Sequence, residues 1–595
     1  MLRIALTVSL LTVGNYWLYT MGAASADELE QYERYLYAEP EEMQWWLDAR
    51  FGMFIHWAPV SMVGTEIGWS RKGERGGVPD DGIIPTLVYD NLYLGFDPYK
   101  FDAKAWVALA KAAGQKYLVI TAKHHDGFCM WDTQTTNLNI MHSPFGRDIV
   151  AELADACHEA GMRFGIYYSI QDWHHPDHRT ENHAQYNQYM MGQLRELLTK
   201  YGKVDVVWFD SVQAVPGPEY YNMHEQFKQI RTLQPGIIIN GRGAGLRGDY
   251  DTLEGGSGSF RHPRPWETAL KMMFLWSWSG DSPVKSLKDC LRIMLQNASN
   301  SGNLLLNVSP MPNGQIAPEQ VRRLHEIGEW MKRNGESIYG TRGGPFKPSP
   351  QIMSTHKGNR IYLHLLDPQL SFPLKLNLLE KKVLAASILG GNSVKVKQTA
   401  DSLQIEMQQA LPDQLDTVIV LELDGPAAEL TPRVAKRSGS VAFGRPIKAS
   451  ATNPIPFPGT SSPCSDPGFA VDDDFTTAWR GDDSQLPVTL EVDLGEVQTI
   501  DRILLSSNDN DHFFTRTFQL QYKQDGTWHT IDGKPTGLEW KVPFNPPTVI
   551  GYRHEVTFAA IATSEVRLRI TACEGGGAPG IREFQVYPVA KSAGR

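Results

Sequence analysis

The chain has few cysteines for its length, and none of them lies in a spacing typical of a metal or redox site. Five Cys among 595 residues cannot form the framework of a disulfide-rich domain. Neither a C-x-x-C nor an H-E-x-x-H pattern occurs, so we expect no metal or other cofactor for catalysis. Cys129, Cys157 and Cys290 are predicted to be buried thiols, whereas Cys464 and Cys573 could pair.

The sequence also lacks an excess of positive charge, internal repeats and low-complexity segments. Lys and Arg number 57 against 67 Asp and Glu, which gives a formal net charge of -10. This balance argues against nucleic acid or an anionic membrane surface as a partner. Hydrophobic residues make up 42% of the chain, which excludes a disordered protein. The length predicts two to four domains, since it exceeds what one hydrophobic core supports.

Long apolar runs are absent after the N-terminus. Residues 1–3 supply a positive charge, residues 4–19 form an apolar stretch, and Ala24-Ser25-Ala26 resembles a cleavage site. We therefore predict a signal peptide over residues 1–26 and an exported protein, periplasmic or extracellular. A membrane anchor is the alternative, but the stretch is short and ends in small residues. We expect no membrane span once the signal is removed.

Short apolar runs alternate with amphipathic helical segments in the first half of the chain. Such alternation implies parallel strands with right-handed crossovers. About eight units favour an α/β fold of the (β/α)8 TIM-like barrel type over a doubly wound sheet. The predicted strands are Phe51–Trp57, Lys116–Phe128, Arg163–Ser169, Val204–Asp210, Gly236–Asn240, Asp251–Glu254, Met272–Trp278 and Gly302–Pro310.

The helical period disappears in the second half of the chain. Short alternating strands such as Arg360–Leu365 and Leu403–Met407 predict a β-sandwich, and further strands follow a basic, serine-containing connector. We assign residues 27–342 to the barrel, residues 343–435 to a β-sandwich and residues 440–590 to a second all-β sandwich. The predicted architecture is thus a TIM-like barrel followed by two all-β sandwich domains.

Polar and aromatic side chains cluster at the carboxyl ends of the predicted barrel strands. In a parallel barrel these ends face one common cleft. The side chains suit a neutral polyol ligand, since aromatic rings pack on the C–H faces of sugars. They are His56, His124, His125, Asp126, Tyr167, Tyr168, Trp208, Asp210, Arg242, Glu254, Trp276 and Trp278.

Carboxylates at strand ends allow glycoside hydrolysis. A retaining glycosidase needs one carboxylate to attack the anomeric carbon and a second, protonated carboxyl group about 5–5.5 Å away to protonate the leaving oxygen. Asp210 follows the apolar run 204–209 and is placed to be the first. On position alone, an Asp that caps the following helix is an equally good interpretation.

Several blocks in the barrel region resemble glycoside hydrolase family 29, the α-L-fucosidases. The blocks are FGMFIHW (51–57), KHHDGF (123–128), FGIYYS (164–169), VWFD (207–210), PWET (265–268) and GNLLLNVSP (302–310). The resemblance implies that Asp210 is the nucleophile. It also implies a set of fucose-binding residues, with fainter matches at Tyr168 and Arg242. The residues predicted to bind the sugar are His56, Trp69, His124, His125, Trp131, Tyr168, Trp208, Arg242 and Trp276.

Two glutamates compete for the role of acid/base. Glu254 closes the sixth predicted strand, which resembles family members whose acid/base comes from that strand end. Glu267, in the PWET block, resembles members where that glutamate has the role. We favour Glu254, because a strand end opens directly onto the cleft. The chain departs from the family pattern between Gly64 and Ser70, so Glu66 is not assigned a role and linkage preference stays open.

The last region resembles a discoidin-like (F5/8 type C) domain of the family 32 carbohydrate-binding type. The resemblance rests on residues 470–479, Asp493-Leu494-Gly495 and the closing residues 581–584. It implies a structural calcium ion held by Asp472, Asp474 and Glu583, and oxygen ligands suit that ion. Turn-forming aspartates are the alternative interpretation.

The sequence therefore predicts an exo-acting, retaining α-L-fucosidase whose substrate is a fucosylated oligosaccharide or glycoconjugate. One alternative is a retaining hydrolase of a related sugar such as an α-L-galactoside. The other is a non-catalytic glycan-binding protein with a decayed barrel. The sequence gives no indication of the oligomeric state or of the ligand of the last domain.

Overall fold

The protein was analysed as a computed structural model. The structure describes residues 35–73, 82–211, 217–254, 258–260, 262–280, 282–407, 411–453, 466–507, 515–531, 538–539, 552–573 and 578–589. The predicted signal peptide and Cys464 lie outside these ranges.

Eight parallel strands form the first sheet, in the order β5-β4-β3-β2-β1-β8-β7-β6. Because β1 pairs with both β2 and β8, the sheet curls back on itself. A parallel bridge between Asn240 and Tyr250 joins its two edges, β5 and β6. The predicted TIM-like barrel is confirmed. Its strands are β1 (Phe51–Ile55), β2 (Tyr117–Lys123), β3 (Arg163–Ser169), β4 (Val206–Asp210), β5 (Ile238–Ile239), β6 (Asp251–Glu254), β7 (Trp266–Lys271) and β8 (Asn303–Val308).

The helices of the barrel region lie before, between and after these strands in sequence. Asp102, Asp148 and Ser286 each begin a helix by accepting a backbone N–H with the side chain, as N-cap residues do. The helices are α1 (Pro40–Ala49), α2 (Thr86–Tyr89), α3 (Ala103–Ala112), α4 (Ile149–Ala160), α5 (His183–Thr199), α6 (Met223–Leu233), α7 (Leu287–Ser299) and α8 (Pro318–Asn334).

Two hydrophobic layers hold the barrel together. The outer layer packs the helices on the strands, and alternate residues of the same strands fill the interior, as the two-residue period of a strand requires. Helix α1 closes the amino-terminal end, where Trp46 packs on Tyr250 with ring centroids 4.4 Å apart. The opposite end, at the carboxyl ends of the strands, is left for the site.

The seventh strand differs from the prediction. It is Trp266–Lys271, not Met272–Trp278, and the apolar segment after it is a loop. The prediction was wrong because it looked for an apolar run, whereas this strand carries Glu267 and Thr268, both fully buried. Trp276 and Trp278 therefore lie beyond the strand rather than at its end.

In the described ranges, the second domain contains two antiparallel sheets and one short parallel pair of strands. Five strands pair in the order β14-β17-β12-β11-β9, three in the order β13-β16-β15, and β10 pairs with β18. Their apolar faces share a separate core. The strands are β9 (Arg342–Gly343), β10 (Phe346–Lys347), β11 (Ile352–Lys357), β12 (Arg360–Leu365), β13 (Leu374–Asn377), β14 (Val383–Ile388), β15 (Lys395–Gln398), β16 (Ser402–Glu406), β17 (Thr417–Leu423) and β18 (Arg433–Val434).

The third domain is a further antiparallel sheet with its own core. Its long strands β21 and β25 pair along most of their length. The all-β prediction for both C-terminal regions is confirmed. The strands are β19 (Ile447–Ala449), β20 (Trp479–Arg480), β21 (Val488–Ser507), β22 (Thr515–Gln524), β23 (Thr527–Thr530), β24 (Leu538–Glu539), β25 (Tyr552–Cys573) and β26 (Gly580–Pro588).

In the described ranges, every helix is too short or too polar to cross a membrane. Cys129, Cys157 and Cys290 are buried free thiols, as predicted, and Cys573 is half-buried.

Candidate active site

Asp210 ends β4 inside the mouth of the barrel, where three neighbouring side chains surround its carboxylate. The Tyr167 hydroxyl donates to Oδ2 at 2.8 Å, and Arg242 Nη1 donates to Oδ1 at 2.9 Å. His125 Nε2 lies 3.6 Å from Oδ2. The side chain is 15% exposed, so it stays accessible at the end of its strand. Tyr167, Asp210 and Arg242 come from three consecutive parts of the barrel, which confirms that the strand ends converge.

Arg242 connects the two carboxylates of the cleft. While Nη1 donates to Asp210, Nη2 donates to Glu254 Oε2 at 3.0 Å. Glu254 ends β6, and its side chain is 47% exposed, far more than that of Asp210. One guanidinium thus places a recessed carboxylate and a solvent-facing carboxyl group on the same cleft.

Three histidines line the cleft beside Asp210. His56 pairs through Nδ1 with Asn307 Oδ1 at 2.7 Å, and His125 pairs through Nδ1 with Ser169 Oγ at 2.6 Å. His124 stacks on Tyr167, with ring centroids 5.4 Å apart. Burial lowers the pKa of His56 to about 4 and that of His124 well below its ordinary value. Both rings are therefore neutral at physiological pH and can each donate and accept a hydrogen bond.

The adjacent histidines both reach the cleft because β2 is irregular at its end. The pairing of β2 with β3 shifts register between Thr121 and Lys123. The shift breaks the alternation that would send neighbouring side chains to opposite faces, and the rings of His124 and His125 lie 4.3 Å apart. This agrees with the expectation of hydrogen-bonding side chains at a distorted strand end.

Glu267 lies in the lower part of the barrel interior, not at a strand end. It is the second residue of β7 and is fully buried. Tyr117 donates to one carboxylate oxygen, and Trp208 Nε1 donates to the other at 3.0 Å. Burial raises the pKa of Glu267 to about 7. Trp208 precedes Asp210 by two residues on the same face of β4, so its side chain lies below that of the nucleophile. Glu267, which contacts Trp208, therefore lies one layer deeper in the barrel.

Two predicted sugar contacts lie outside the cleft. The hydroxyl of Tyr168 points outward and donates to Gln193 of α5 at 2.7 Å. Trp131 is fully buried, and its indole donates to Glu196 of α5 at 3.1 Å. The structure therefore brings neither residue to the cleft. Tyr168 shares its strand face with the buried Phe164 and Ile166, so the alternation of side chains in β3 already indicated Tyr167 as the inward residue.

The other predicted sugar-binding aromatics lie in or below the cleft. Trp208 is 2% exposed and stacks beneath Tyr167, with ring centroids 5.4 Å apart. Trp69 and Trp276 are both half-buried. Trp69 packs on His125 at 5.3 Å, and Trp276 packs on His56 at 4.8 Å. They form apolar walls on two sides of the histidines.

Two further side chains of the cleft were missed from the sequence. Asn307 holds His56, and Lys271 ends β7 with its ammonium 5.7 Å from the centre of the Trp276 ring. Both follow apolar or small neighbours within strands. The misplaced seventh strand hid Lys271, because the prediction did not place it at a strand end.

The acidic residues of the third domain are only partly assembled as a ligand set. Glu583 is fully buried beside Asp472, and burial raises the pKa of Asp472 to about 7. Asp474, however, forms an ion pair with Lys347 of β10. Within the described parts of the chain, His, Cys, Asp and Glu side chains nowhere form a group of three or more that could hold a metal ion.

The arrangement at the barrel mouth suits one chemistry. A recessed carboxylate, a second carboxyl group across a shared guanidinium, neutral histidines and tryptophan walls are what a retaining glycosidase needs to hold and cleave a sugar. Fold and site define a barrel glycoside hydrolase.

Comparison with known families specifies which one. The family model named Alpha-L-fucosidase matches residues 20–336, and the F5/8 type C domain model matches residues 447–584. The chain belongs to the α-L-fucosidase family and carries a C-terminal F5/8 type C domain, so both resemblances inferred from the sequence are confirmed.

Individual relatives agree with this assignment. The tissue α-L-fucosidase of Rattus norvegicus is 30% identical over 328 residues, which cover 50% of this chain and 70% of the relative. The structure of α-L-fucosidase isoenzyme 1 from Paenibacillus thiaminolyticus is 35% identical, with a TM-score of 0.59, and covers 64% of this chain and 99% of its own. A family 29 α-L-fucosidase from Bacteroides thetaiotaomicron, trapped as a covalent intermediate with 2-fluoro-fucosyl fluoride, is 26% identical with a TM-score of 0.59, covering 65% of this chain and 97% of its own.

Proposed function

We propose that Asp210 is the nucleophile and Glu254 the acid/base of this enzyme. The family establishes the reaction, which is exo-hydrolysis of α-L-fucose with retention of the anomeric configuration. The Arg242 bridge supports the pairing of these two residues, because it places Glu254 across the cleft from Asp210. The greater exposure of Glu254 suits a group that must meet both the leaving group and water.

The reaction then proceeds by double displacement. Asp210 attacks the anomeric carbon as Glu254 gives its proton to the leaving oxygen, which forms a fucosyl ester and releases the alcohol. Glu254, now ionised, takes a proton from a water molecule that attacks the same carbon and frees Asp210. Arg242 and Tyr167 hold the Asp210 carboxylate in one orientation throughout, and the neutral histidines offer donors and acceptors for the sugar hydroxyls.

Glu267 does not fit the acid/base role. Its carboxyl group is fully buried and both oxygens already accept hydrogen bonds, from Tyr117 and Trp208. A leaving group bound at Asp210 would have to displace the Trp208 indole to reach it. The raised pKa of Glu267 follows from burial and does not require contact with the substrate.

The dependence on leaving group separates the two glutamates. In Glu254→Ala we expect kcat to fall about 10²–10⁴-fold on fucosides with a poor leaving group and far less on a dinitrophenyl fucoside. Azide should accelerate turnover of the dinitrophenyl substrate. Glu267→Gln is the control and should show the same relative rate on every leaving group. If the two variants exchange these behaviours, Glu267 is the acid/base and the proposal is wrong.

The competing substrate is an α-L-galactoside, because L-galactose differs from L-fucose only at the methyl carbon. A panel of nitrophenyl glycosides tests this, and we expect the α-L-galactoside to be slower by about 10-fold or more. A faster α-L-galactoside would reverse the assignment of the sugar. Turnover that disappears in Asp210→Ala excludes a non-catalytic glycan-binding protein.

A calcium ion in the third domain and export of the protein are further parts of the proposal. Support for calcium comes from Glu583 and Asp472, whose buried carboxyl groups lie together and suit an oxygen-seeking cation. Calcium should raise the unfolding temperature of the chelator-treated protein, and Glu583→Gln should abolish that gain. An unchanged unfolding temperature would contradict a calcium site. Export rests on the sequence of residues 1–26 alone.

A further inference from the structure

Ser169 is a buried residue next to the cleft histidines that the proposed mechanism does not use. It ends β3 and is fully buried. Its Oγ lies 2.6 Å from Nδ1 of His125, whose ring forms part of the cleft beside Asp210. The direction of this hydrogen bond decides which nitrogen of His125 carries the hydrogen, because a neutral imidazole has a hydrogen on only one of its two nitrogens.

The other hydrogen-bond partners of Ser169 determine that direction. The hydroxyl has one hydrogen, which it donates to the carbonyl of Gln171 at 2.8 Å. Its oxygen accepts the N–H of Gln171 at 3.0 Å and has one acceptor position left for the ring. A hydrogen turned towards His125 would take this donor away from the carbonyl of a fully buried residue, which is costly. The ring is therefore the donor, and Nδ1 of His125 carries the hydrogen.

The loop after β3 holds this arrangement in place. Trp173 donates its backbone N–H to the carbonyl of His125 at 2.7 Å, and the centroids of the two rings lie 5.0 Å apart. Asp172 accepts two backbone N–H groups of the same loop with one oxygen, and its other oxygen lies 3.4 Å from Nζ of Lys123. Both side chains of this ion pair are buried. Because Lys123 precedes His125 by two residues, the loop that carries Gln171 is fixed to the segment that carries the ring.

The second ring nitrogen of His125 faces the nucleophile. Nε2 lies 3.6 Å from Oδ2 of Asp210, the oxygen that also accepts from Tyr167. With the hydrogen on Nδ1, Nε2 of the neutral ring has a lone pair and can only accept a hydrogen bond. Two acceptors side by side favour a hydroxyl group of the ligand, because it supplies the hydrogen that both of them lack. A sugar bound for attack by Asp210 brings hydroxyl groups to this place.

We infer that Ser169 is a positioning residue that fixes the hydrogen of His125 on Nδ1, so that Nε2 accepts a hydrogen bond from one hydroxyl group of the sugar. Ser169 itself does not touch the substrate, since its hydroxyl is used by Gln171 and His125. The inference rests on the proposed function in taking the cleft at Asp210 to be the fucose site. It makes His125 a selective contact, because a sugar without that hydroxyl group leaves Nε2 without its donor.

Removing one hydroxyl group from the enzyme and one from the sugar tests the inference in the full-length protein. The substrates are nitrophenyl α-L-fucoside and three analogues, each of which lacks one of the ring hydroxyl groups. For one analogue, the loss of kcat/KM relative to the parent should be about tenfold larger in the wild type than in Ser169→Ala. Tyr168→Phe removes the neighbouring hydroxyl on the outside of β3, and its losses should match those of the wild type. Losses in Ser169→Ala that equal those of the wild type for every analogue, or that shrink alike for all three, would overturn the inference.

The position of the hydrogen can also be observed without turnover. In a neutron diffraction structure of the unliganded, full-length enzyme at about pH 8, above the ordinary pKa of histidine, we expect a deuteron on Nδ1 of His125. The deuteron of Ser169 should point to the carbonyl of Gln171. A deuteron on Nε2 of His125, with or without one on Nδ1, would contradict the inference. An enzyme that is inactive on every fucoside but shows the expected deuterons would refute the proposed function and leave the assignment of the hydrogen intact.

Discussion

At the scale of single residues, the two oxygens of the Asp210 carboxylate have different donors. Oδ2 accepts from Tyr167 and lies near His125, whereas Oδ1 accepts from Arg242. The carboxylate cannot rotate without losing one of these bonds. A nucleophile fixed in this way needs little reorganisation before it attacks.

The neighbouring tyrosines of β3 provide a matched pair of substitutions. Tyr167→Phe removes a donor to Asp210 and should lower kcat about tenfold, the effect expected for one charge-assisted hydrogen bond. Tyr168→Phe removes a donor to Gln193 on the outside of the barrel and should leave kcat within about twofold. Steady-state kinetics on one fucoside checks both. If both variants lost kcat equally, the effect of Tyr167 would come only from the stability of the protein.

The sequence predicted the residues whose position follows from a strand end. Asp210, Glu254 and Arg242 were identified in this way, and the structure brings them within hydrogen-bond distance. Tyr168 and Trp131 were assigned to the sugar by resemblance, which identifies a block but not the direction of each side chain. Direction depends on which face of the strand points inward, and for Tyr168 the alternation of β3 contained that information.

At the scale of elements, β7 departs most from what its sequence suggests. An interior strand of a barrel was expected to be apolar, but β7 places Glu267 inside, where Tyr117 and Trp208 donate to it. The adjacent apolar segment is held as a loop by Glu66, Asn307 and Ser309. These contacts join residues far apart in sequence, so no local pattern could have predicted them.

Glu267 should make stability depend on pH. Burial raises its pKa from an ordinary value near 4.5 to about 7, so the folded protein binds this proton more tightly than the unfolded chain. The stabilisation is complete below about pH 4.5 and is lost as the pH rises through about 7.

Relative to Glu267→Gln, the wild type should therefore lose up to about 3 kcal/mol of unfolding free energy between pH 4.5 and 7.5. Denaturant unfolding at both pH values measures this difference. The exposed Glu329 of α8 is the control, and Glu329→Gln should show no comparable change. A difference of opposite sign would mean that Glu267 is ionised in the folded protein.

At the scale of the whole molecule, three hydrophobic cores follow one another along the chain. The sequence predicted this order, because the change from helical to strand periodicity is visible without any contact. It could not predict how the second and third domains touch. Lys347 of β10 reaches into the acidic turn of the third domain and pairs with Asp474, an ion pair with both side chains largely buried.

Lys347→Ala should lower the stability of the third domain without changing catalysis. Removing one partner of a largely buried ion pair costs about 1–3 kcal/mol, so the unfolding transition of the third domain should move to lower temperature. Kinetics on a small fucoside should not change, because the barrel supplies the whole site. Lys381, which pairs with Glu429 within the second domain, is the control. If Lys347→Ala lost activity while the third domain stayed folded, the active site would not be independent of that domain.

The central claim of this account is that the carboxylate of Asp210 forms a bond to the sugar. The most direct test is to treat the enzyme with 2-fluoro-fucosyl fluoride and to locate the modified residue by fragmentation of the peptide 204–228. We predict one fluorofucosyl group per chain, attached to Asp210, and none in Asp210→Ala. A label on Asp205, Glu219 or any residue other than Asp210, or full activity with no label, would contradict the mechanism.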